Sequence, residues 1–139
     1  MAPGPDNTSV ARDFVAVCLV GGRVDRLTEF VARDVVVHAA TPGDAADIRG
    51  IGELADVVRC THTVFGELHI EVADVVAEGD RVLIRWTARG VHAAEWFGIP
   101  ATGRRVTVGG MDLYRFERSL IREWWRNADH LYLLQQLEG

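Results

Sequence analysis

The chain has 139 residues, 48% hydrophobic and 25% charged, which suits one globular domain with a real core and argues against disorder. Acidic residues (20) outnumber basic ones (15, all arginine and scattered), leaving a formal charge of −5 and no expected nucleic-acid face. No apolar run approaches the roughly 20 residues of a membrane span, and the start, MAPGPDNTS, has neither a basic flank nor an apolar stretch, so a cytoplasmic protein is expected.

In chain order, residues 1–7 read as a disordered leader and residues 8–139 as a single domain. Asn7 or Thr8 is expected to cap a first helix that runs to about Val20, with Val10, Phe14, Val17 and Cys18 on one face and Gly21–Gly22 as its stop. A short second helix is predicted over Val24–Val31. A β-rich run, Asp34–His38, follows, then a loop over 40–50. Helical spacing returns from Ile51 to Phe65, through Leu54 and Val58. The second half is β-type: Glu67–Ala77, Arg81–Ala93, Arg104–Glu117 and Leu120–Ala128, joined mostly by short connectors, as in an antiparallel meander. A short helix over Asp129–Leu137 closes the chain. Helices before a long antiparallel sheet give an α+β class: a cone-shaped barrel, the sheet wrapped on three N-terminal helices around a central pocket.

Alternation nominates the side chains that face this pocket. On the last strand Ile121, Glu123, Trp125, Asn127 and Asp129 share one face by the period of two, and the large apolar members point that face inward. Asp129 and Glu123 are then carboxylates in apolar surroundings, where desolvation raises basicity toward the general-base range. The plainer readings are that Asp129 caps the last helix and Glu123 pairs with a polar neighbour. Trp86 and His92 fall on the inner face of the second meander strand, His92 toward the mouth. There it either donates to a developing oxyanion or bonds to backbone.

For His38 and Asp112 the alternation does not decide the side. Tyr114 offers a hydroxyl or packing. Trp96 and Phe97, on a glycine-containing loop, suit an aromatic lid. Cys18 and Cys60 form no CxxC pair or Cys/His cluster and read as small core residues. The histidines lack metal-ligand spacing, no phosphate-binding glycine motif is present, and the two serines lie in the leader region and a turn. Acid/base chemistry in an aromatic cavity remains, with no metal or cofactor implied.

Three strings carry a family resemblance: Asp34-Val35-Val36-Val37-His38; Arg89-Gly90-Val91-His92 leading to Trp96-Phe97-Gly98-Ile99-Pro100-Ala101-Thr102-Gly103-Arg104-Arg105-Val106; and Leu120-Ile121-Arg122-Glu123-Trp124-Trp125-Arg126-Asn127-Ala128-Asp129. With the element order, they resemble the SnoaL-like polyketide cyclases of the nuclear transport factor 2-like superfamily, over most of residues 8–137. The resemblance implies Asp129 as acid/base, His92 as its assistant and a cofactor-free intramolecular aldol closure of a small, hydrophobic, polyketide-like substrate. Cavity walls would come from Trp86, Trp96, Phe97, Tyr114 and Trp125, with His38, Asp112 and Glu123 as further contacts. Isomerases, epoxide hydrolases, shape-directed cyclases and binding proteins share the fold. Two carboxylates bridged by one water would mark hydrolysis. A filled cavity with Asp129 tied to helix-end amides would mark a binding module. Superfamily members often pair through the outer sheet face, where this chain mixes Arg85 with Met111 and Leu113, so a homodimer is expected.

Overall fold

The computed structural model describes residues 6–39 and 47–138, so most of the expected leader and most of the predicted 40–50 loop lie outside the described residues. Helix α1 (Asn7–Phe14) starts one residue earlier than expected, because Asp6 rather than Asn7 or Thr8 accepts the Thr8 N–H at 3.1 Å. The chain continues as a π-helical segment, Val15–Val20, whose register is visible in the 3.0 Å bond from the Gly21 N–H to the Ala16 carbonyl. Gly22, in the left-handed region at φ +67°, turns it away. The predicted second helix is a 3₁₀ segment, Val24–Glu29. It ends early because the β-branched run from Val31 enters strand β1 (Val31–Ala39).

Inside the predicted loop, Ile48–Arg49 forms a two-residue strand, β2, against Val36–Val37. Helix α2 (Gly50–Val64) leads into β3 (Phe65–Glu78), β4 (Arg81–His92), β5 (Arg105–Glu117), β6 (Leu120–Ala128) and helix α3 (His130–Glu138). One six-stranded sheet results, in the order β2-β1-β6-β5-β4-β3. Only β1 and β6 run parallel. The sheet is curved and unclosed, with bulges in β3 to bend it. Among the described residues, no helix is long and apolar enough to cross a membrane.

The core lies where α1 meets the inner face of the sheet. Phe14, fully buried, sets its ring edge-on to Tyr114 (5.9 Å) and Trp124 (5.6 Å) and tilted to Phe30 (6.1 Å), an arrangement aromatic quadrupoles favour. Cys18 joins this core as expected, but Cys60 is exposed, on α2 at the edge of a cavity rather than in the core.

Strand β6 departs from simple alternation. Phe116 pairs with Ile121 but Arg115 pairs with Glu123, so Arg122 is an extra, bulged residue. Each residue beyond it changes face. Ile121, Trp124, Arg126 and Ala128 line the inside, whereas the predicted inward members Glu123, Trp125, Asn127 and Asp129 lie on the outer face or at its edge. Arg122 itself donates to the Asp34 carbonyl at 2.8 Å and pairs with its carboxylate at 3.0 Å, which ties the bulge to β1.

His38 also lies on the outer face, stacked on Trp125 with ring centroids 5.3 Å apart. Its Nδ1 faces Asp47 at 3.1 Å and its Nε2 faces Glu123 at 2.6 Å. Two carboxylates on two ring nitrogens need two donors, so the ring is imidazolium. Arg115 completes the cluster at 3.2 Å from Glu123, and Arg49 stands 3.6 Å from Asp47. The Glu123 bond raises the pKa of His38 against partial burial, while His38 and then Arg115 hold Glu123 below the usual carboxylate range. A histidine whose folded pKa is raised adds stability that is complete below its unfolded value of about 6.5 and lost as pH rises through the folded value. The difference in urea midpoint between the wild type and His38→Gln should therefore be widest near pH 6 and shrink by pH 9. A difference that stays constant or grows would contradict the imidazolium assignment.

Candidate active site

A cavity of about 450 Å³ opens between α2, the Glu95–Phe97 loop and the sheet. Apolar walls come from Val37, Ile48, Leu54, Val64, Phe65 and Trp124, and a second chamber of about 150 Å³ continues toward Trp86, Ala88, Val108 and Leu133. Thr61, Phe65, Trp96, Arg126 and His130 border both. Trp96 and Phe97 stand at the rim, edge to face at 4.7 Å, and the loop that carries them is pinched by paired backbone bonds between Trp96 and Ile99.

The deep side is built by cross-strand neighbours on the inner face of β4, β5 and β6. Val82, Tyr114 and Trp124 form one row, Ile84, Asp112 and Arg126 the next, and Trp86, Gly110 and Ala128 the third. Asp112 is 2% exposed and stands across from Arg126, its Oδ1 4.0 Å from the Arg126 Nε. The Tyr114 hydroxyl donates to Oδ2 over a long 3.4 Å. The indole N–H groups of Trp86 and Trp124 approach the same carboxylate without meeting hydrogen-bond geometry. Asp112 Oδ1 and Arg126 Nε likewise lack a hydrogen-bond partner within the protein. The guanidinium lies 5.2 Å from the Trp86 ring and 5.8 Å from that of Trp124, a cation–π sandwich that leaves its outer side on the cavity.

Electrostatically this pair is poised. Burial pushes the Asp112 carboxyl above the usual range, and the nearby Arg126 charge, the indole N–H groups and the Tyr114 hydroxyl oppose that rise only in part. Burial, reinforced by the Asp112 charge, sends the Tyr114 phenol well upward, so it stays a neutral donor. A carboxylate kept basic behind a cation that lines an apolar cavity can accept a proton once the cation moves aside, while the cation stabilises an oxyanion.

The other expected site residues are distributed differently. Trp86 borders the inner chamber. Asp112 and Tyr114 line neither chamber but are buried in the sheet rows beside Arg126 and Trp124, which do line the cavity. His38, Glu123 and Trp125 face outward. Asp129 caps α3: its carboxylate accepts the Tyr132 N–H at 3.1 Å, and the residue is exposed beside an outer-face groove. His92 is fully buried, its Nδ1 engaged by the Thr102 N–H (3.2 Å) and hydroxyl (3.0 Å), and it ties down the loop that carries Trp96. Its Nε2 makes no hydrogen bond within the protein. Sequence reasoning missed Arg126 and the rim residues His130 and Thr61. Among the described residues, no group of His, Cys, Asp or Glu is arranged to hold a metal ion.

Comparison with known proteins agrees with this architecture. A search of curated proteins gives no match. Among solved structures, IdmH from Streptomyces antibioticus superposes with a TM-score of 0.85 at 28% identity, over 97% of this chain and 100% of that one. TsrD from Streptomyces laurentii does so with a TM-score of 0.81 at 27% identity, over 96% and 98%. AclR from Streptomyces galilaeus shares the fold (TM-score 0.81, 22% identity, 95% of this chain and 80% of that one). A family model described as SnoaL-like polyketide cyclase matches residues 9–137, nearly the whole chain, and on that match this protein belongs to the SnoaL-like polyketide cyclase family.

Proposed function

We propose that this chain is a cofactor-independent cyclase that closes a ring in a polyketide-like substrate by aldol chemistry, with Arg126 and Asp112 at the reacting centre. The observation that carries this reading is that Arg126 lines an aromatic-walled cavity with the buried Asp112 carboxylate directly behind it, 4.0 Å from its Nε. A substrate carbonyl docks on the guanidinium, which draws it off the carboxylate it covers. Asp112 takes a proton from the carbon next to that carbonyl, and Arg126 stabilises the enolate oxygen. The enolate carbon bonds to a second carbonyl carbon of the same chain, whose oxygen becomes an alkoxide and recovers the proton from Asp112. Cavity walls from Phe65, Trp86, Trp96 and Trp124 hold the two carbonyls close, which supplies an orientation contribution.

This reading moves the chemistry away from Asp129, whose carboxylate caps α3, and from His92, whose Nδ1 is engaged by Thr102 and which lines neither chamber. The charged group nearest Asp112 is a cation rather than a second carboxylate, which favours carbonyl chemistry over water-mediated hydrolysis. The engagement of Asp129 is what a binding module would show, but the open cavity and the unbonded Asp112 Oδ1 support catalysis. A reducing compartment suits the exposed, unpaired Cys60, so we place the reaction in the cytoplasm. On a linear 1,3,5-triketone surrogate, Asp112→Asn and Arg126→Met should each lower kcat about a hundredfold or more, as loss of a base or an oxyanion donor does. The wild-type rate should fall on the acid side above pH ~4, where an ordinary carboxylate titrates. A folded Asp112→Asn variant that cyclises at the wild-type rate would refute the assignment.

We also propose a homodimer through the outer sheet face, with Arg85, Met111 and Leu113 near the two-fold axis. Met111 is 49% exposed, and a groove beside it is lined by Leu83, Leu113 and Trp125, while Arg85 pairs with Asp74 at the edge. Light scattering at micromolar concentration should return twice the chain mass, and a value near 15.3 kDa would contradict it.

A further inference from the structure

Gly110 occupies the middle of β5, where a glycine costs about 0.5–1 kcal/mol relative to alanine and marks a place that another group approaches closely. Its backbone is not in the left-handed region, so conformation does not demand glycine here; space does. A Cβ built on Gly110 would lie 2.4 Å from Trp86 Cζ2, 2.9 Å from Trp86 Cε2 and 2.8 Å from the Asn127 carbonyl oxygen. Trp86 is the direct cross-strand partner of Gly110, so its indole lies down into the gap the missing side chain leaves. The same indole borders the 150 Å³ inner chamber and stacks on the Arg126 guanidinium.

We infer that Gly110 is a specificity-determining residue: by seating the Trp86 indole against the sheet it sets the depth of the inner chamber, and so the length of fused-ring or folded-chain substrate that can extend past Arg126. This rests on the cavity being the substrate site. Gly110 and Trp86 share the inner face, so a methyl at position 110 would lift the indole off the sheet on that side, toward the inner chamber it borders rather than the outer-face groove. The effect is directional. It penalises long ligands and spares short ones, whereas a general loss of packing penalises both.

Two carboxylate probes of one chemistry and different length test the idea: 2-naphthoate, with two fused rings, and anthracene-2-carboxylate, with three, each titrated calorimetrically into the full-length protein. The wild type should bind both. Gly110→Ala should weaken the three-ring probe tenfold or more and the two-ring probe less than threefold. Trp86→Leu, which removes the indole without adding a clash, should shift the preference the other way, and it keeps the test readable if Gly110→Ala fails to fold. Equal weakening of both probes in Gly110→Ala, or an unchanged preference in Trp86→Leu, would overturn the inference. Arg126→Met separates this from the underlying reading. If it leaves both probes bound as in the wild type, they do not occupy this cavity, and the assignment of the site fails along with the inference.

Discussion

One extra residue in β6 determines what the cavity contains. The bulge at Arg122 turns Trp124 and Arg126 inward and sends Glu123, Trp125 and Asp129 out. Without it, the hairpin that pairs Glu117 with Leu120 would set Asp112 across from Trp125, and the buried carboxylate would have no cation beside it. With it, Asp112 meets Arg126, Tyr114 meets Trp124, and the outward carboxylate of Glu123 finds His38 and Arg115. The parallel neighbour β1 accommodates the irregularity with its own register shift between Val31 and Val36, and the Arg122–Asp34 contacts fix the two strands together.

The pair inside is expensive by the standards of a core. Buried polar atoms without partners cost about 1–3 kcal/mol each, and several converge here: Asp112 Oδ1, Arg126 Nε and the indole nitrogens of Trp86 and Trp124. A fold built for stability alone would fill this space with apolar side chains, as it does one row away, where Phe14 packs against Tyr114 and Trp124. The cost is instead concentrated at the cavity, which is where strained or under-satisfied groups gather when they serve a function. The surrounding aromatics keep the dielectric low, and this raises both the basicity of the carboxylate and the value of the cation to a developing negative charge.

Sequence periodicity was a good guide wherever strands are regular. In β4, Val82, Ile84 and Trp86 alternate cleanly with Arg81, Leu83 and Arg85, and the inner face follows. In β6 either phase satisfies the pattern, because the adjacent Trp124 and Trp125 always put one tryptophan inside. No glycine or proline announces the bulge. Arg126 escaped notice because an arginine on a strand reads by default as solvated. Only its register opposite Asp112, which depends on the bulge, brings it inside. Asp129 has the opposite history: its place ahead of α3 matched a cap as well as a base, and the amide of Tyr132 takes its carboxylate.

The central claim is that Asp112 is a base whose strength comes from burial and whose charge is held by Arg126. Carbon-13 NMR of the side-chain carboxyl groups, with the Asp112 signal assigned by its loss in Asp112→Asn, measures this without any substrate. The account predicts a titration midpoint above the usual aspartate value of about 4, rising further in Arg126→Met. A midpoint at or below that value in the wild type, or no change when the guanidinium is removed, would contradict it.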